Sequence, residues 1–439
     1  RTAVRRPIER ERGETVAEAE REPGSKPGVP NAQAYEEAGD LGGAADAGLP
    51  GPSFRTRTVH AGEPAGLAVR PLSDPIYQSS VYAFDDPATS ASRHAAEPPL
   101  PSYSRDHFPN VAALGQAVAE LEGADAGYAV ASGMAAISLV FLALLGGGSH
   151  VVAACGAYCD TEALLDQELS RFGVTASFVD LGDVEAAAAA VQPATRLIFA
   201  ETITNPGIRL ANLPALSTLA RERGIPLCVD NTFATPALCR PLEHGADLVV
   251  HSVTKFLGGH HDLTAGVVVG RADLMQRIRR TGYLVGSLLG AMDAWLALRG
   301  IRTLAPRMAW ISQSAAAVAA FLNAHPAVTA VHYPGLPGAD DTALVRRLLP
   351  DGAGGMMTFE LAGGAEAAAC LVRRLRLIPY APSLGGTTTT ICYPPRTPPV
   401  TADGPRRPGA SLRLSIGLES PADLIADLRQ ALDGEEVRR

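Results

Sequence analysis

Lysine is nearly absent from this chain. Of 38 basic residues in 439, only Lys26 and Lys255 are lysine, which leaves 36 arginines. A GC-rich codon bias favours such a ratio, and arginine serves a structural ion pair as well as lysine does. A lysine kept inside the folded part therefore asks for a chemical reason. Guanidinium stays protonated in proteins, whereas an ε-amine can be driven neutral by burial and can then form a Schiff base or move a proton. The plain alternative is a solvated lysine that drift has not replaced, and the flanks of Lys255 weigh against it. Upstream, "ADLVVHSV" is a short β-branched apolar run, as in a buried parallel strand, and downstream "GGHHD" leads into a second run, "TAGVVVG". Lys255 thus falls at a strand end beside Ser252 and Thr254, where open α/β sheets bind ligands.

Other scarcities set further bounds. The longest apolar stretch, "MAAISLVFLALLGGG" from Met134, is about 15 residues and ends in glycines. That is short of the roughly 20 a membrane span needs, so a buried helix is expected and no membrane association. The first residues carry mixed charge and no apolar signal-like run, and six cysteines (Cys155, Cys159, Cys228, Cys239, Cys370, Cys392) are scattered without a disulfide framework. Both features point to reduced thiols in a cytoplasmic protein. Cys155 and Cys159 invite a metal reading, but no second ligand pair has zinc-like spacing, so no metal is expected. A net charge of −8, with no aromatic-basic cluster, argues against a nucleic-acid partner.

Length favours two domains plus a tail. Residues 1–54 are rich in Glu, Arg, Gly, Pro and Ala, with six Arg against six Glu in the first 22 positions, and are expected to form a disordered head. Residues 55–109 are irregular and punctuated by proline, better suited to an arm than to a core. Then strands alternate with helical patterns: "AGYAVAS", "SHVVAA", "VTASFVD", "TRLIFAE", "IPLCVD", "ADLVVHS", "AGVVVG". This α/β alternation predicts a mostly parallel, helix-covered sheet over 110–302. Residues 303–439, with "GGMMTFEL", "LRLSIGLE" and the amphipathic "PADLIADLRQAL", predict a smaller α+β domain.

Polar residues cluster where these strands stop. Asp230 follows "IPLCV", Glu201 and Asn205 follow "TRLIFA", and Ser132, Gly133 and Met134 follow "AGYAVA" and open the apolar helix. Each alone is ordinary, since a Ser-Gly pair or an Asp at such a point is often only a helix cap. Together they supply a lysine for a Schiff base, an acid 25 residues earlier for a pyridinium nitrogen, and a helix N-terminus with two hydroxyls for a phosphate. Those are the needs of pyridoxal 5'-phosphate, PLP.

"HSVTKFLGGHHD" resembles the lysine motif of the Cys/Met-metabolism PLP enzymes, the family of cystathionine γ-synthase, cystathionine γ-lyase, methionine γ-lyase and O-acetylhomoserine sulfhydrylase. The likeness runs from "TRTVHAGE" at residue 56 to the last helix, through "YSRDHFPN", "LEGADAGYAVASGMAAIS", "ETITNP", "VDNTFATP", "SLGG" and "LRLSIGLE". It implies PLP fold type I, like aspartate aminotransferase, with a seven-stranded, mostly parallel sheet. It also implies that Lys255 binds the cofactor covalently and moves protons, that Asp230 meets the pyridine nitrogen, and that Tyr158 stacks on the ring and takes part in catalysis. Ser132, Gly133, Met134, Ser252 and Thr254 would hold the phosphate, completed by Tyr103 and Arg105 from a neighbouring subunit. Asn205, Ser383 and Arg413 would orient an amino-acid substrate, Arg413 by its α-carboxylate. A shared site implies a homodimer at least, and commonly a tetramer. The implied reaction is γ-elimination or γ-replacement on an L-amino acid. Transamination, β-elimination and a non-catalytic binding role are the alternatives.

Departures from the family pattern fall in the substrate region. Where the family usually has "YGGT" this chain has "YCDT", which would bring Asp160 near the far end of the substrate. Pro382 precedes Ser383, and "TTTTICYPPRTPP" replaces the usual segment after "SLGG". These differences point to a specialised substrate.

Overall fold

Short, mostly apolar runs become the strands of a seven-stranded sheet: β1 (Ala126–Val130), β2 (His150–Ala154), β3 (Thr175–Val179), β4 (Thr195–Glu201), β5 (Leu227–Asp230), β6 (Leu248–Ser252) and β7 (Gly266–Gly270). The structure is a computed structural model and describes residues 51–63, 71–93, 95, 100–105, 108–336, 342–393 and 411–434. Most of the expected head, Lys26 included, lies outside these residues, as do Asp106 and His107 of the arm motif and the segment 394–410. Strand order is β1-β7-β6-β5-β4-β2-β3. Only β7 runs antiparallel to its neighbours, β1 and β6; the other pairs are parallel.

The period of two explains why these strands read as continuous apolar runs. On β6, Val249 belongs to one core layer while Leu248 and Val250 belong to the other. On β2, Val152 and Ala154 face the first layer, Val151 and Ala153 the second. Both faces are covered, so both sets must be apolar. One cover is α1 (Pro109–Glu122), which packs on β1 and β7, and another is α2 (Gly133–Leu144), on β6 and β7. α2 is capped by Ser132, whose hydroxyl accepts the Ala135 amide at 3.0 Å. Its Ile137, Val140 and Phe141 join Val151, Phe199 and Val268 in the second layer.

Beyond the short α3 (Cys159–Ala163) and α4 (Ala272–Val285), the long α5 (Leu304–Ala324) leads to a four-stranded antiparallel sheet. Its strands are β8 (Val328–His332), β9 (Met356–Leu361), β10 (Thr390–Cys392) and β11 (Ser411–Ser415), in the order β10-β11-β9-β8. α6 (Gly364–Arg374) and α7 (Pro421–Asp433) complete this layer. The seven strands of the large sheet coincide with the seven expected runs. β9 and β11 carry "MMTFEL" and "SLRLS", while β8 and β10 arise where no strand was expected. Among the described residues no helix is long and apolar enough to cross a membrane.

Because β1, β2, β4, β5 and β6 share one direction, their C-terminal ends open on one edge of the large sheet. Ser132, Tyr158, Glu201, Asp230 and Ser252 are delivered there.

Candidate active site

At this edge lies a cavity of 240 Å³ walled by Ser132, Gly133, Met134, Tyr158, Asn205, Asp230, Ser252, Thr254, Lys255 and Arg413. Ten of the fourteen sequence-selected residues therefore meet in one place. Lys255 stands on the turn that follows β6, where its amide donates to the Ser252 carbonyl at 3.1 Å. A buried arginine pins that turn from behind: Arg307 donates to the carbonyls of Phe256 (2.7 Å), Leu257 (3.2 Å) and Gly300 (2.9 Å). Burial lowers even this guanidinium to about 10. The Lys255 amine is held below the usual lysine range by burial first and by the charge of Arg413 second. Both causes favour the neutral, nucleophilic form.

Asp230 ends β5 directly opposite Glu201 of β4. Burial pushes the Asp230 carboxyl up, opposed by hydrogen bonds from the Thr232 hydroxyl and amide, the latter 2.9 Å from Oδ1, and by His251. The Thr232 hydroxyl in turn accepts the Ser252 amide at 2.9 Å, which locks the ends of β5 and β6 together. Glu201 is raised further, by burial and then by Asp230. Two acids crowded at adjacent strand ends call for a cation between cavity and wall. Behind them, Glu122 Oε1 lies 2.7 Å from His251 Nε2 and accepts from Asn231 Nδ2 at 2.8 Å, while Thr202 donates to Asn231 Oδ1 at 2.8 Å. Glu122, His251, Asn231 and Thr202 are all fully buried, so this polar brace sets the strand ends rigidly.

On the opposite wall the first amides of α2 have no partner within the helix, as at any helix start. They face the Ser252 side chain so closely that a Cβ on Gly133 would fall 2.9 Å from Ser252 Oγ. Only glycine permits that approach. Thr254 also lines the cavity, but its hydroxyl donates to the Ala265 carbonyl (3.2 Å) and accepts its amide (3.1 Å), so its one proton is engaged. Arg413 on β11 is 4% exposed and donates through Nη1 to Asn205 Oδ1 at 2.8 Å and through Nη2 to Cys392 Sγ at 3.3 Å. Among the described residues no carboxylate lies within ion-pair distance of it, which leaves a desolvated cation facing the cavity without a counter-charge.

These groups fit PLP on three independent counts: an amine whose charged form burial disfavours, two acids side by side at adjacent strand ends, and an N-terminal amide cradle closed by a hydroxyl. The model of the Cys/Met metabolism PLP-dependent enzymes matches residues 55–433. The chain belongs to that family. An L-methionine gamma-lyase of Porphyromonas gingivalis is 40% identical over 87% of this chain and 97% of its own. A cystathionine gamma-synthase of Mycobacterium tuberculosis is 39% identical over 88% and 97%. The crystal structure of metB from Corynebacterium glutamicum superposes with a TM-score of 0.81 at 36% identity, covering 88% of this chain and 98% of that one. A Campylobacter jejuni structure assigned as an O-acetylhomoserine (thiol)-lyase gives 0.79 at 30% identity, over 87% and 100%, and carries N'-pyridoxyl-lysine-5'-monophosphate. The chain is thus a PLP-dependent enzyme of the carbon-sulfur lyase and γ-synthase kind, with fold type I.

Within the Cys/Met family frame, four expected site residues stand away from the cavity wall. Ser383 is flanked by Pro382 and Leu384, which line it. Ser383 between them is not part of the wall, and its carbonyl accepts the Thr390 hydroxyl at 3.1 Å. Asp160, in the first turn of α3, is exposed, and its carboxylate acts on the hydroxyl of Tyr158 through its charge. Burial, then Asp160, push that phenol well above the usual tyrosine range. Tyr103 and Arg105 lie elsewhere on the chain: the Arg105 guanidinium sits 5.3 Å over the Tyr103 ring and 4.7 Å over the Tyr283 ring. Tyr103 is 46% exposed, although burial on a partner would suit an aromatic ring better.

Sequence reasoning gave no role to Glu201, Thr232 or Arg307. Glu201 and Thr232 stood visibly at strand ends, but their tasks are hydrogen bonds to backbone amides, which leave no spacing to read. Arg307 carried no signal in a chain whose cations are nearly all arginine.

Proposed function

We propose that the protein breaks a Cγ–X bond of an L-amino acid, releasing X by γ-elimination or exchanging it by γ-replacement. The observation that carries this reading is the convergence of Lys255, Tyr158 and the uncompensated Arg413 on one cavity. Arg413 grips the α-carboxylate, with Asn205 fixing the guanidinium plane. When bound, PLP supplies an electron-withdrawing ring that stabilises negative charge developing on the carbon beside the substrate amine. Asp230 would hold the ring nitrogen, and Gly133, Met134, Ser132 and Ser252 would hold the phosphate. Lys255, whose charged form burial and Arg413 disfavour, removes the Cα proton through Nζ and relays a second proton from Cβ. The Tyr158 phenol, raised and therefore protonated, donates to the departing group. For elimination the balance is substrate plus water giving a 2-oxo acid, ammonia and HX. For replacement, HX leaves and a nucleophile takes its place.

We further propose that residues 110–302 form the cofactor-binding domain, 303–439 a substrate-side domain and 55–109 an arm, with Tyr103 and Arg105 completing the site of a neighbouring copy. The L-methionine gamma-lyase and cystathionine gamma-synthase relatives support the Cγ chemistry. Asp160 near the Tyr158 hydroxyl and Pro382 in the cavity wall support a substrate other than theirs. Borohydride reduction of the purified protein should fix the cofactor on the Lys255 peptide, and a panel of γ-substituted amino acids should yield 2-oxo acid or a replacement product. Label on another residue, or turnover retained in Lys255→Ala, refutes the mechanism.

A further inference from the structure

Glu201 is 4% exposed, lines the cavity, and carries no counter-cation within ion-pair distance among the described residues. Its two oxygens are divided between two chain segments. Oε1 accepts the amide of Tyr158 at 2.8 Å and Oε2 accepts the amide of Asn205 at 2.9 Å. Tyr158 begins α3 beyond β2, and Asn205 lies in the loop that leaves β4. Asn205 then passes the connection on, its Oδ1 accepting Arg413 Nη1 at 2.8 Å from the other sheet. A continuous bracket thus runs Tyr158–Glu201–Asn205–Arg413. We infer that Glu201 is the positioning residue that sets the ring-stacking Tyr158 and the carboxylate-binding Arg413 at a fixed distance and angle from each other.

The choice of acid follows from the donors. Both partners are backbone N–H groups, so both oxygens must accept, which the two oxygens of a carboxyl group can do and a side-chain amide cannot. A glutamine would turn one end into a donor facing a donor. An ordinary buried acid placed only for stability would be better replaced by an apolar or amide side chain, because burial opposes its charge. What the carboxylate supplies in exchange is orientation. The bond broken at Cα must stand across the cofactor ring plane, so the residue that sets the plane and the residue that grips the carboxylate have to move as one.

This inference rests on the proposed roles of Tyr158 and Arg413, and the test separates the two. Holoenzyme is titrated, by its visible absorbance, with L-norvaline, which has an α-carboxylate but no γ leaving group, and with butan-1-amine, the same molecule without the carboxylate. In Glu201→Gln the Kd for L-norvaline should rise about tenfold, the lower end for losing a hydrogen bond to a charged acceptor. The Kd for butan-1-amine should stay within about twofold, so the preference for the carboxylate falls while cofactor remains reducible onto Lys255. A general loosening of the fold would weaken both ligands together, and that result, or an unchanged preference, overturns the inference. Should Glu201→Gln not accumulate as folded protein, Glu201→Asp takes its place with the same expectation, its carboxylate being one methylene short of spanning both amides. A wild-type enzyme with no preference for L-norvaline would instead overturn the reading of Arg413 itself.

Discussion

Replacing Gly133 by alanine isolates the phosphate cradle from the rest of the enzyme. By helix propensity alone the change should stabilise α2, since Gly133 is its first residue and alanine gains up to about 1 kcal/mol over glycine inside a helix. The structure predicts a different outcome. The new Cβ would lie 2.7 Å from Ser252 Cβ, 2.9 Å from its Oγ and 3.0 Å from its Cα, so the N-terminus of α2 and the end of β6 must part by several tenths of an ångström. Overpacking of that kind costs about 1–3 kcal/mol, which leaves a net destabilisation of roughly 0–2 kcal/mol once the propensity gain is set against it. The apoprotein should therefore stay folded. Cofactor binding should suffer more, because the helix amides and the Ser252 hydroxyl would no longer converge. A loss of one phosphate hydrogen bond at about 1.5–3 kcal/mol corresponds to a PLP Kd raised roughly 10- to 150-fold. Apoprotein titrated with PLP and followed by absorbance gives the Kd, and thermal unfolding without PLP gives the stability. Gly146→Ala is the control, since a Cβ there meets nothing within 4 Å. If folded Gly133→Ala binds PLP within about twofold of wild type, the cradle is not built on the Gly133–Ser252 contact.

With only two lysines in the chain, reductive methylation of apoprotein with labelled formaldehyde gives readable signals for Lys255, and its titration should fall below 10.5. Arg413→Met should move it upward by removing the second cause of the shift. Because the unfolded chain binds the extra proton between the lowered value and 10.5, apoprotein stability should rise with pH across that window, and no such slope should remain in Lys255→Met. Arg413→Lys keeps the charge but loses the fork held by Asn205, so KM for a reactive amino acid should rise about 10- to 100-fold with a smaller change in kcat; an unchanged KM would show that the carboxylate binds elsewhere. Mixing inactive Arg105→Ala and Lys255→Ala subunits should restore part of the activity in hybrid oligomers, and no recovery despite proven exchange would count against a shared site. Asp160→Gly removes the acid that raises the Tyr158 phenol and should shift specificity toward simple γ-substituted substrates; kcat/KM for the native substrate unchanged within about twofold, roughly 0.4 kcal/mol, would reduce Asp160 to a solvated loop acid.

What could be read from the sequence divides along a physical line. The large sheet was legible because its strands are buried on both faces, so each appears as an unbroken apolar run between helical patterns. β8 and β10 were not. Val328–His332 is only partly buried and alternates weakly, and Thr390–Cys392 is three residues at the end of a threonine run, too short to show a period. In the site, legibility followed the kind of interaction. Lys255, Asp230 and Arg413 act through side-chain chemistry that few other residue types provide, so their identities and order along the chain announced them. Ser383 illustrates the limit: a motif can bring a segment to the cavity without fixing which of its residues line it, and here Pro382 and Leu384 do.

Glu201 marks the other limit, because its partners are main-chain amides 43 residues before it and 4 residues after it, and any residue could supply them. The consequence reaches substrate choice. Arg413, the proposed grip on the α-carboxylate, and the backbone of Tyr158 are tied through Glu201 and Asn205. The outer end carries the exposed Asp160 near Tyr158 and has Pro382 in the wall. Substitutions at Asp160 or Pro382 can therefore retune which γ substituent is accepted without disturbing the hold on the backbone of the amino acid. Changes along the Tyr158–Glu201–Asn205–Arg413 bracket cannot, since any movement there displaces the Cα–H bond relative to the group that must accept its electrons.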